Sequence, residues 1–401
     1  MDKNEKADYN KLCKKVLKKE ENAQMNKVKE IRKERGMSQE VLAQYSEISR
    51  KYLSLIERQK ASPSISIAIK IGGALGVSID KIFLDLSATE KPAYPNPIRF
   101  VDLFCGIGGF RYASQYAFDK LRLKGECVFS SDIDKYAQTS YEANFGERPA
   151  GDITKIEASE IPDFDILFGG FPCQAFSICG LQKGFADNTR GTLFFDIARI
   201  IKEKQPQVFV LENVKNLASH DNGKTLKTIL EVLRDELGYH VDYHLLNALD
   251  FGLPQKRERI IIIGSKKPFV MDWKFNIDNK KTLDDILEKD VEKKHYASPE
   301  IVAKRKSMHE TSVYPSIWHE NKAGNISSYP YSCALRAGAS YNYLLVNGER
   351  RLTPREMLRL QGFPDSYKIV VSDTQTRKQA GNAIPVDMVA RVIEKFLPLA
   401  F

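Results

Sequence analysis

The chain has 401 residues, 42% of them hydrophobic, enough for two or three domains with sizeable cores, and its formal charge of +9 suits a polyanionic partner. Six cysteines without Cys-x-x-Cys spacing or flanking histidines exclude a disulfide framework and a zinc site, so no metal is expected. No apolar leader and no run of roughly eighteen apolar residues is present, which leads us to expect a cytoplasmic protein with no membrane partner.

Residues 1–25 are polar and lysine-rich and read as an arm. Residues 26–86 read as an all-α unit. Its first helix begins at Val28 and ends at Gly36, and Ser38 caps a second with Val41, Leu42 and Tyr45 on one face. After a tight link, Ser49 caps a third helix with Leu53 and Ile56 facing inward, and two more are expected at 64–75 and 79–84. The pattern resembles the helix-turn-helix domain of the phage-repressor class. A recognition helix needs basic and polar groups in its first turn, because those reach base edges in the major groove, and Arg50, Lys51, Tyr52 and Ser54 supply them. A helical bundle serving protein contacts alone is the other reading. Residues 87–97, with Pro92, Pro95 and Pro97, read as a linker.

Residues 98–265 alternate strand and helix signals. An apolar strand over 99–104 runs into Cys-Gly-Ile-Gly-Gly (105–109) and then an amphipathic helix, an opening that lets a ligand approach the backbone closely. It does not spell Gly-x-Gly-x-x-Gly, so a dinucleotide is not demanded. The next strand ends on Asp132, placed to accept both hydroxyls of a ribose, and Asp152 ends a third segment; both also read as helix caps. An apolar run over 163–168 empties into Gly-Gly-Phe-Pro-Cys-Gln-Ala-Phe-Ser (169–177), where Pro172 fixes the backbone just before Cys173. The loop over 174–190 reads as a lid, and Glu212 closes a strand so apolar that a carboxylate there is costly without a task. Strands are expected at 239–246 and 260–263, and Arg257 and Arg259, alternating ahead of the latter, are expected to project together into one site. Over 266–350 the rhythm is lost, which reads as a small DNA-recognition domain; over 351–401 it returns, with Gln-Ala-Gly-Asn (379–382) expected to start the last helix.

In this order the segments resemble the motif series of bacterial cytosine-5 DNA methyltransferases of type II restriction-modification systems, over about three quarters of the chain. The resemblance implies an α/β, doubly wound Rossmann-like methyltransferase sheet with a small inserted DNA-recognition domain, preceded by the helix-turn-helix domain. It implies S-adenosylmethionine as cofactor, held by Phe104, Gly106, Gly108, Gly109, Asp132, Ile133, Asp152, Ile153, Pro172, Leu193 and Asn382. Cys173, Glu212, Arg257 and Arg259 would hold the cytosine. The Cys173 thiolate would add to carbon 6 while Glu212 bonds ring nitrogen 3 and the amino group, and carbon 5 would then take the methyl group from a base flipped out of the duplex. Gln174, Asn321, Lys322, Asn325 and Arg336 would contact DNA. Two departures stand out: Ile133 occupies the position of the family's usual aromatic, and Ala334-Leu335 replaces its usual Thr-Leu.

The expected partners are double-stranded DNA and, for the head, operator DNA. The protein is expected to be a monomer on its target and to dimerise, if at all, through the head. The enzyme would protect DNA from a partner endonuclease, and the head would regulate transcription of its own gene. A tRNA cytosine-5 methyltransferase and a regulator with a vestigial methyltransferase half are the competing readings.

Overall fold

The computed structural model describes residues 26–58, 61, 63, 65–77, 82, 94–172 and 193–401. The chain forms two compact units, Met1–Ala93 and Tyr94–Phe401. The expected arm over 1–25 and most of the expected helix over 79–84 lie outside the described residues.

The head contains α1 (Val28–Glu34), α2 (Gln39–Tyr45), α3 (Arg50–Glu57) and α4 (Ile65–Leu75). The Ser38 and Ser49 hydroxyls accept the Val41 and Tyr52 N–H groups, satisfying donors that a helix start leaves open. Val28, Leu42, Leu53, Ile56, Ile71, Leu75 and Ile82 form its core, each worth roughly 1.5–3 kcal/mol by removal from water. Under them lies a buried ion pair: Arg32 donates to both Glu57 oxygens (2.6 and 3.1 Å) and to the Met37 carbonyl, and Gln39 also donates to Glu57. With every oxygen of Glu57 bonded, burial of the charge is compensated, and α1, α2 and α3 are tied at one point.

The second unit is built on a six-stranded sheet of order β2-β1-β3-β4-β7-β5. Its strands are β1 (Ile98–Leu103), β2 (Gly125–Ser131), β3 (Ile166–Gly170), β4 (Val208–Val214), β5 (His240–Asn247) and β7 (Glu258–Ser265), with a two-residue β6 (Gln255–Lys256) outside it. The first four are parallel, and β7 runs antiparallel between β4 and β5. The cause is the link from β5 to β7, which holds no crossover helix and so returns the chain antiparallel. Side chains alternate strictly between the two faces. Phe100, Ile166, Phe168, Val208, Val210, Ile261 and Ile263 pack on the side of α5 (Gly109–Leu121). Val101, Leu103, Leu167, Phe209, Leu211, Ile260 and Ile262 pack on the side of α7 (Leu193–Lys204) and α8 (Lys224–Glu231). The unbroken Ile260–Ile263 run is thus a central strand buried on both faces. Helix α6 (Lys135–Phe145) follows β2 and is capped by Asp134.

Residues 266–350 contribute α9 (Pro299–Met308) and a three-stranded antiparallel sheet of β8 (Ile317–Glu320), β9 (Ile326–Tyr329) and β11 (Leu344–Val346), while β10 (Ser332–Cys333) pairs with β6. Met271, Leu283, Ile286, Ile317, Leu335 and Leu344 belong to the same buried core as β1 and the C-terminal helix, so this segment is seated on the sheet unit. Then come α10 (Pro354–Leu360), with a Thr353/Glu356 capping box, α11 (Asp373–Asn382) and α12 (Val386–Ala400). Residues 379–382 end α11 where the start of the last helix was expected: Pro385 breaks the backbone, and the polar α11 carries no apolar period. Helix α12 packs on α5 and closes the core through Val389, Ile393, Phe396 and Leu397. Among the described residues no helix is long and apolar enough to cross a membrane.

Candidate active site

At the C-terminal ends of β1, β2, β3 and β4 lies a cleft of about 640 Å³, within the usual range for a ligand the size of a nucleoside joined to an amino acid. Phe104, Gly106, Gly109, Asp132, Ile133, Asp152, Ile153, Pro172, Leu193 and Asn382 all line it. Gly108 does not. It caps α5 at φ +83°, and a Cβ there would strike the Phe145 ring, so its task is to let the backbone turn under the cleft.

Asp132 is positioned by the end of β2. One of its carboxylate oxygens accepts the Gly106 N–H and the other the Asp134 N–H, both at 2.8 Å, which locks the glycine turn against the acid. Burial raises its pKa in spite of these bonds. Asp152 caps the turn that follows it, accepting the Thr154 N–H (3.1 Å) and hydroxyl (2.8 Å), so both the cap and the cleft-lining readings hold for it; the Thr154 bonds keep its pKa low. Two acids against apolar walls from Phe104, Ile133, Leu193 and Ile384 make a set of acceptors that fits a ligand with ribose hydroxyls, an amine and a positive charge, as S-adenosylmethionine has. Ile133 is 72% exposed and lies open to such a ligand.

Deeper in the cleft, β4 registers Glu212 beside Gly170 at the end of β3, two residues before Pro172. Glu212 is 8% exposed and meets Arg259 Nε at 2.6 Å. Burial raises the Glu212 pKa, and the adjacent guanidinium only partly opposes it. Asn213 donates to the Phe171 carbonyl at 2.8 Å, fixing the chain directly ahead of Pro172. Cys173, Gln174 and the loop over 174–190 lie outside the described residues.

Arg257 departs from expectation. It does not line the cleft; it is 1% exposed, and its guanidinium donates to the main-chain carbonyls of Leu335, Gly381 and Ala383. Arg257 stands between β6 and β7 and not within a strand, so the alternation that would aim it along with Arg259 does not apply. The sequence reading also missed Lys378, which pairs with Asp134 at 2.7 Å on the rim of the cleft, and Asn213; each adjoins a motif that was noticed, but neither carries a signal of its own.

In the head, Arg50 and Lys51 open α3 and are exposed, with Arg50 pairing with Glu40 at 2.9 Å. Tyr52 packs partly against the head core, and Ser54 is half-buried. In the segment over 266–350, Asn321, Lys322 and Asn325 form the exposed turn between β8 and β9, whose shape is held by the Asn321 side chain accepting the Ala323 and Asn325 N–H groups. Arg336 is exposed, with its guanidinium 4.8 Å from the Tyr343 ring centre.

Comparison with known proteins agrees with this geometry. Residues 98–397 match the model of C-5 cytosine-specific DNA methylases, and residues 28–82 match a helix-turn-helix model. The chain is 54% identical over 292 residues to the type II methyltransferase M.NgoBI of Neisseria gonorrhoeae, covering 72% of this chain and 90% of that protein. It is also 54% identical over 295 residues to M.HaeII of Haemophilus aegyptius, covering 73% and 90%. Among solved structures, the fold is similar to that of the S. pombe Dnmt2 methyltransferase (TM-score 0.58, 20% identity, 76% of this chain and 100% of that one). It is similar as well to the Entamoeba histolytica methyltransferase EhMeth (TM-score 0.57, 16% identity, 75% and 98%). A strand-end cleft with a buried glutamate beside Pro172, in a chain three quarters of which matches one family, places this protein among the C-5 cytosine-specific DNA methylases, enzymes that methylate carbon 5 of cytosine in DNA.

Proposed function

We propose that the protein is the methyltransferase of a type II restriction-modification system, and that its catalytic group is Cys173 acting with Glu212 and Arg259. The observation that carries this reading is the buried Glu212–Arg259 pair at the inner end of the cleft, beside the segment that leads into Cys173. S-adenosylmethionine, bound against Asp132, Asp152, Phe104, Leu193 and Asn382, supplies an electrophilic methyl group. The Cys173 thiolate adds to carbon 6 of a flipped cytosine. Glu212, whose burial favours its protonated form, offers that proton to ring nitrogen 3 as charge moves into the ring. Arg259 holds the Glu212 carboxyl in place and faces the base oxygen. Carbon 5, made nucleophilic by the addition, would take that methyl group; a base would then remove the carbon 5 proton, the bond from carbon 6 to sulfur would break to release the thiolate, and nitrogen 3 would return its proton to Glu212.

The domain reading remains part of the proposal: head over 26–86, linker over 87–97, catalytic segments over 98–265 and 351–401, and recognition segment over 266–350. DNA is contacted in the recognition segment by Lys322, Asn325 and Arg336, and in the head by Arg50 and Lys51, which bind an operator at the protein's own gene. Bisulfite sequencing of DNA from cells expressing the protein tests the activity. A single protected sequence, with one cytosine methylated, is expected; unmodified DNA, or methyl groups appearing only in tRNA, would overturn the reading.

A further inference from the structure

Arg257, expected to touch the base, instead ties the irregular backbone at Leu335 to the C-terminal end of α11. Its Nη1 donates to the Leu335 carbonyl at 2.8 Å, and its Nη2 donates to those of Gly381 (2.8 Å) and Ala383 (2.7 Å). Leu335 belongs to the segment read as the DNA-recognition element, whereas Gly381 and Ala383 flank Asn382 on the wall of the cofactor cleft. Carbonyls outside helices and ladders, and those of a helix's last turn, need partners once buried, and a planar guanidinium with several donors is suited to bridge them.

Two fully buried glutamines repeat the arrangement. Gln255 accepts the Leu335 N–H at 3.0 Å and donates to the Leu360 carbonyl at 2.9 Å, and it also donates to the Gln361 side chain. Gln361 in turn donates to the Ala380 carbonyl. The contact has no slack: a Cβ on Gly381 would overlap the Ala337 main chain and stand 2.7 Å from the Arg336 carbonyl carbon. The backbone over 335–337 therefore lies directly on the backbone over 380–383, and three side chains hold it there.

We propose that Arg257 is a positioning residue that couples DNA reading to cofactor binding, so that seating the recognition segment on its target fixes the Asn382 wall of the cleft, and the reverse. A dense buried network of this kind moves as a unit or breaks; it does not stretch. Coupling between the two sites is then reciprocal: target DNA tightens the cofactor by the same factor as the cofactor tightens DNA. The inference rests on the proposed cofactor site.

The test uses full-length protein, S-adenosylhomocysteine as the probe for the cofactor cleft, and a duplex carrying the sequence that bisulfite mapping identifies. Calorimetry gives the dissociation constant of the probe with and without the duplex. In the wild type the duplex should tighten it, within the roughly 5- to 150-fold usual for coupled sites. Arg257→Lys, which loses the fork, and Gly381→Ala, which wedges the two backbones apart, should each bring the ratio towards one. Both should raise the KM values for DNA and cofactor together by more than they lower kcat. Probe binding without DNA and a cooperative melt show that a variant is folded; should Arg257→Lys fail this, Gln361→Met removes the two buried bonds of that side chain, to Gln255 and to the Ala380 carbonyl, at nearly constant volume and takes its place. An empty bisulfite map would overturn the function and this inference with it. A filled map with a wild-type ratio of one, or folded variants that keep the wild-type ratio, would overturn the inference alone. So would a collapse of kcat in Arg257→Lys with both KM values unchanged, since that places Arg257 on the reacting base.

Discussion

Glu212 and Arg259 meet at 2.6 Å as diagonal neighbours across the antiparallel β4–β7 pair: Glu212 registers with Ile261 and Arg259 with Val214, so both side chains emerge on one face at the end of the sheet. Glu212→Gln keeps the shape but has neither an acidic proton to offer ring nitrogen 3 nor a carboxylate to pair with Arg259. We expect kcat to fall by roughly 10²–10³, the usual cost of losing one such electrostatic group, with the KM for S-adenosylmethionine little changed. Steady-state kinetics on the mapped duplex checks this; a collapse of cofactor affinity at constant kcat would remove Glu212 from the base.

Cys173→Ser should abolish turnover, because a serine alkoxide is far less available at neutral pH than a thiolate. DNA carrying 5-fluorocytosine cannot lose a proton from carbon 5, so the wild type should remain attached to it through denaturing electrophoresis, and the variant should not. A wild-type protein that leaves no such adduct would remove the covalent step from the mechanism.

Asp132→Ala should raise the KM for S-adenosylmethionine and leave kcat at saturating cofactor much closer to wild type. Part of the effect comes through Gly106, whose N–H loses its 2.8 Å acceptor and with it the fixed glycine turn. Asp132→Asn keeps an acceptor for one of the two N–H groups and should fall between the two. Equal cofactor KM values in all three proteins would sink the assignment.

Much of this site was legible because it lies where strands end. Asp132 and Glu212 each close a largely apolar strand, and a carboxylate there announces itself against the pattern. The strand over Ile260–Ile263 was legible as well, from its unbroken β-branched run. What stayed hidden depends on distance in the chain. The carbonyls that Arg257 binds lie 78, 124 and 126 residues away, and nothing in the Gln-Lys-Arg-Glu-Arg run distinguishes the arginine that faces the cleft from the one that turns inward. The polar helix α11 was hidden as well, because its buried face is supplied by Thr376, Gln379, Ala380 and Gly381, which carry no hydrophobic period.

Asp102, on β1 beneath the glycine turn, is fully buried, and neither of its carboxyl oxygens has a hydrogen-bond partner among the described residues. Burial pushes its pKa up to about 8; nearby Arg111 opposes the rise, and Asp132 and Glu147 add to it. The folded protein thus holds this proton up to about pH 8, whereas the unfolded chain releases it near pH 4. Unfolding between those values releases a proton, so this group's contribution to stability is greatest at low pH and falls as pH rises through the window, by at most about 1.4 kcal/mol per unit. Asp102→Asn cannot titrate. Urea unfolding at pH 5, 6.5 and 8 should show the variant gaining on the wild type with each step, and a constant difference would mean that the carboxyl is ionised throughout.

The head offers the last prediction. Arg50 and Lys51 stand exposed in the first turn of α3, and the ion pair of Arg50 with Glu40 is itself open to solvent. Such a pair is worth little, roughly 0–1 kcal/mol, so the guanidinium can turn to a phosphate or a base edge at small cost. The buried Arg32–Glu57 pair is the opposite case, since it fixes the frame from which α3 projects. If the head reads an operator, the Arg50→Ala/Lys51→Ala double variant should lose a discrete footprint upstream of the gene while methylating the mapped site at the wild-type rate. If the head only adds positive charge, the wild type will show no discrete footprint, and the variant will methylate every substrate more weakly, with a deficit that shrinks as salt rises. Footprinting and methylation assays on both proteins at two salt concentrations separate these outcomes. Regulation is the expected one, because a charge tether needs neither the two serine caps nor the buried pair that together set the angle of α3.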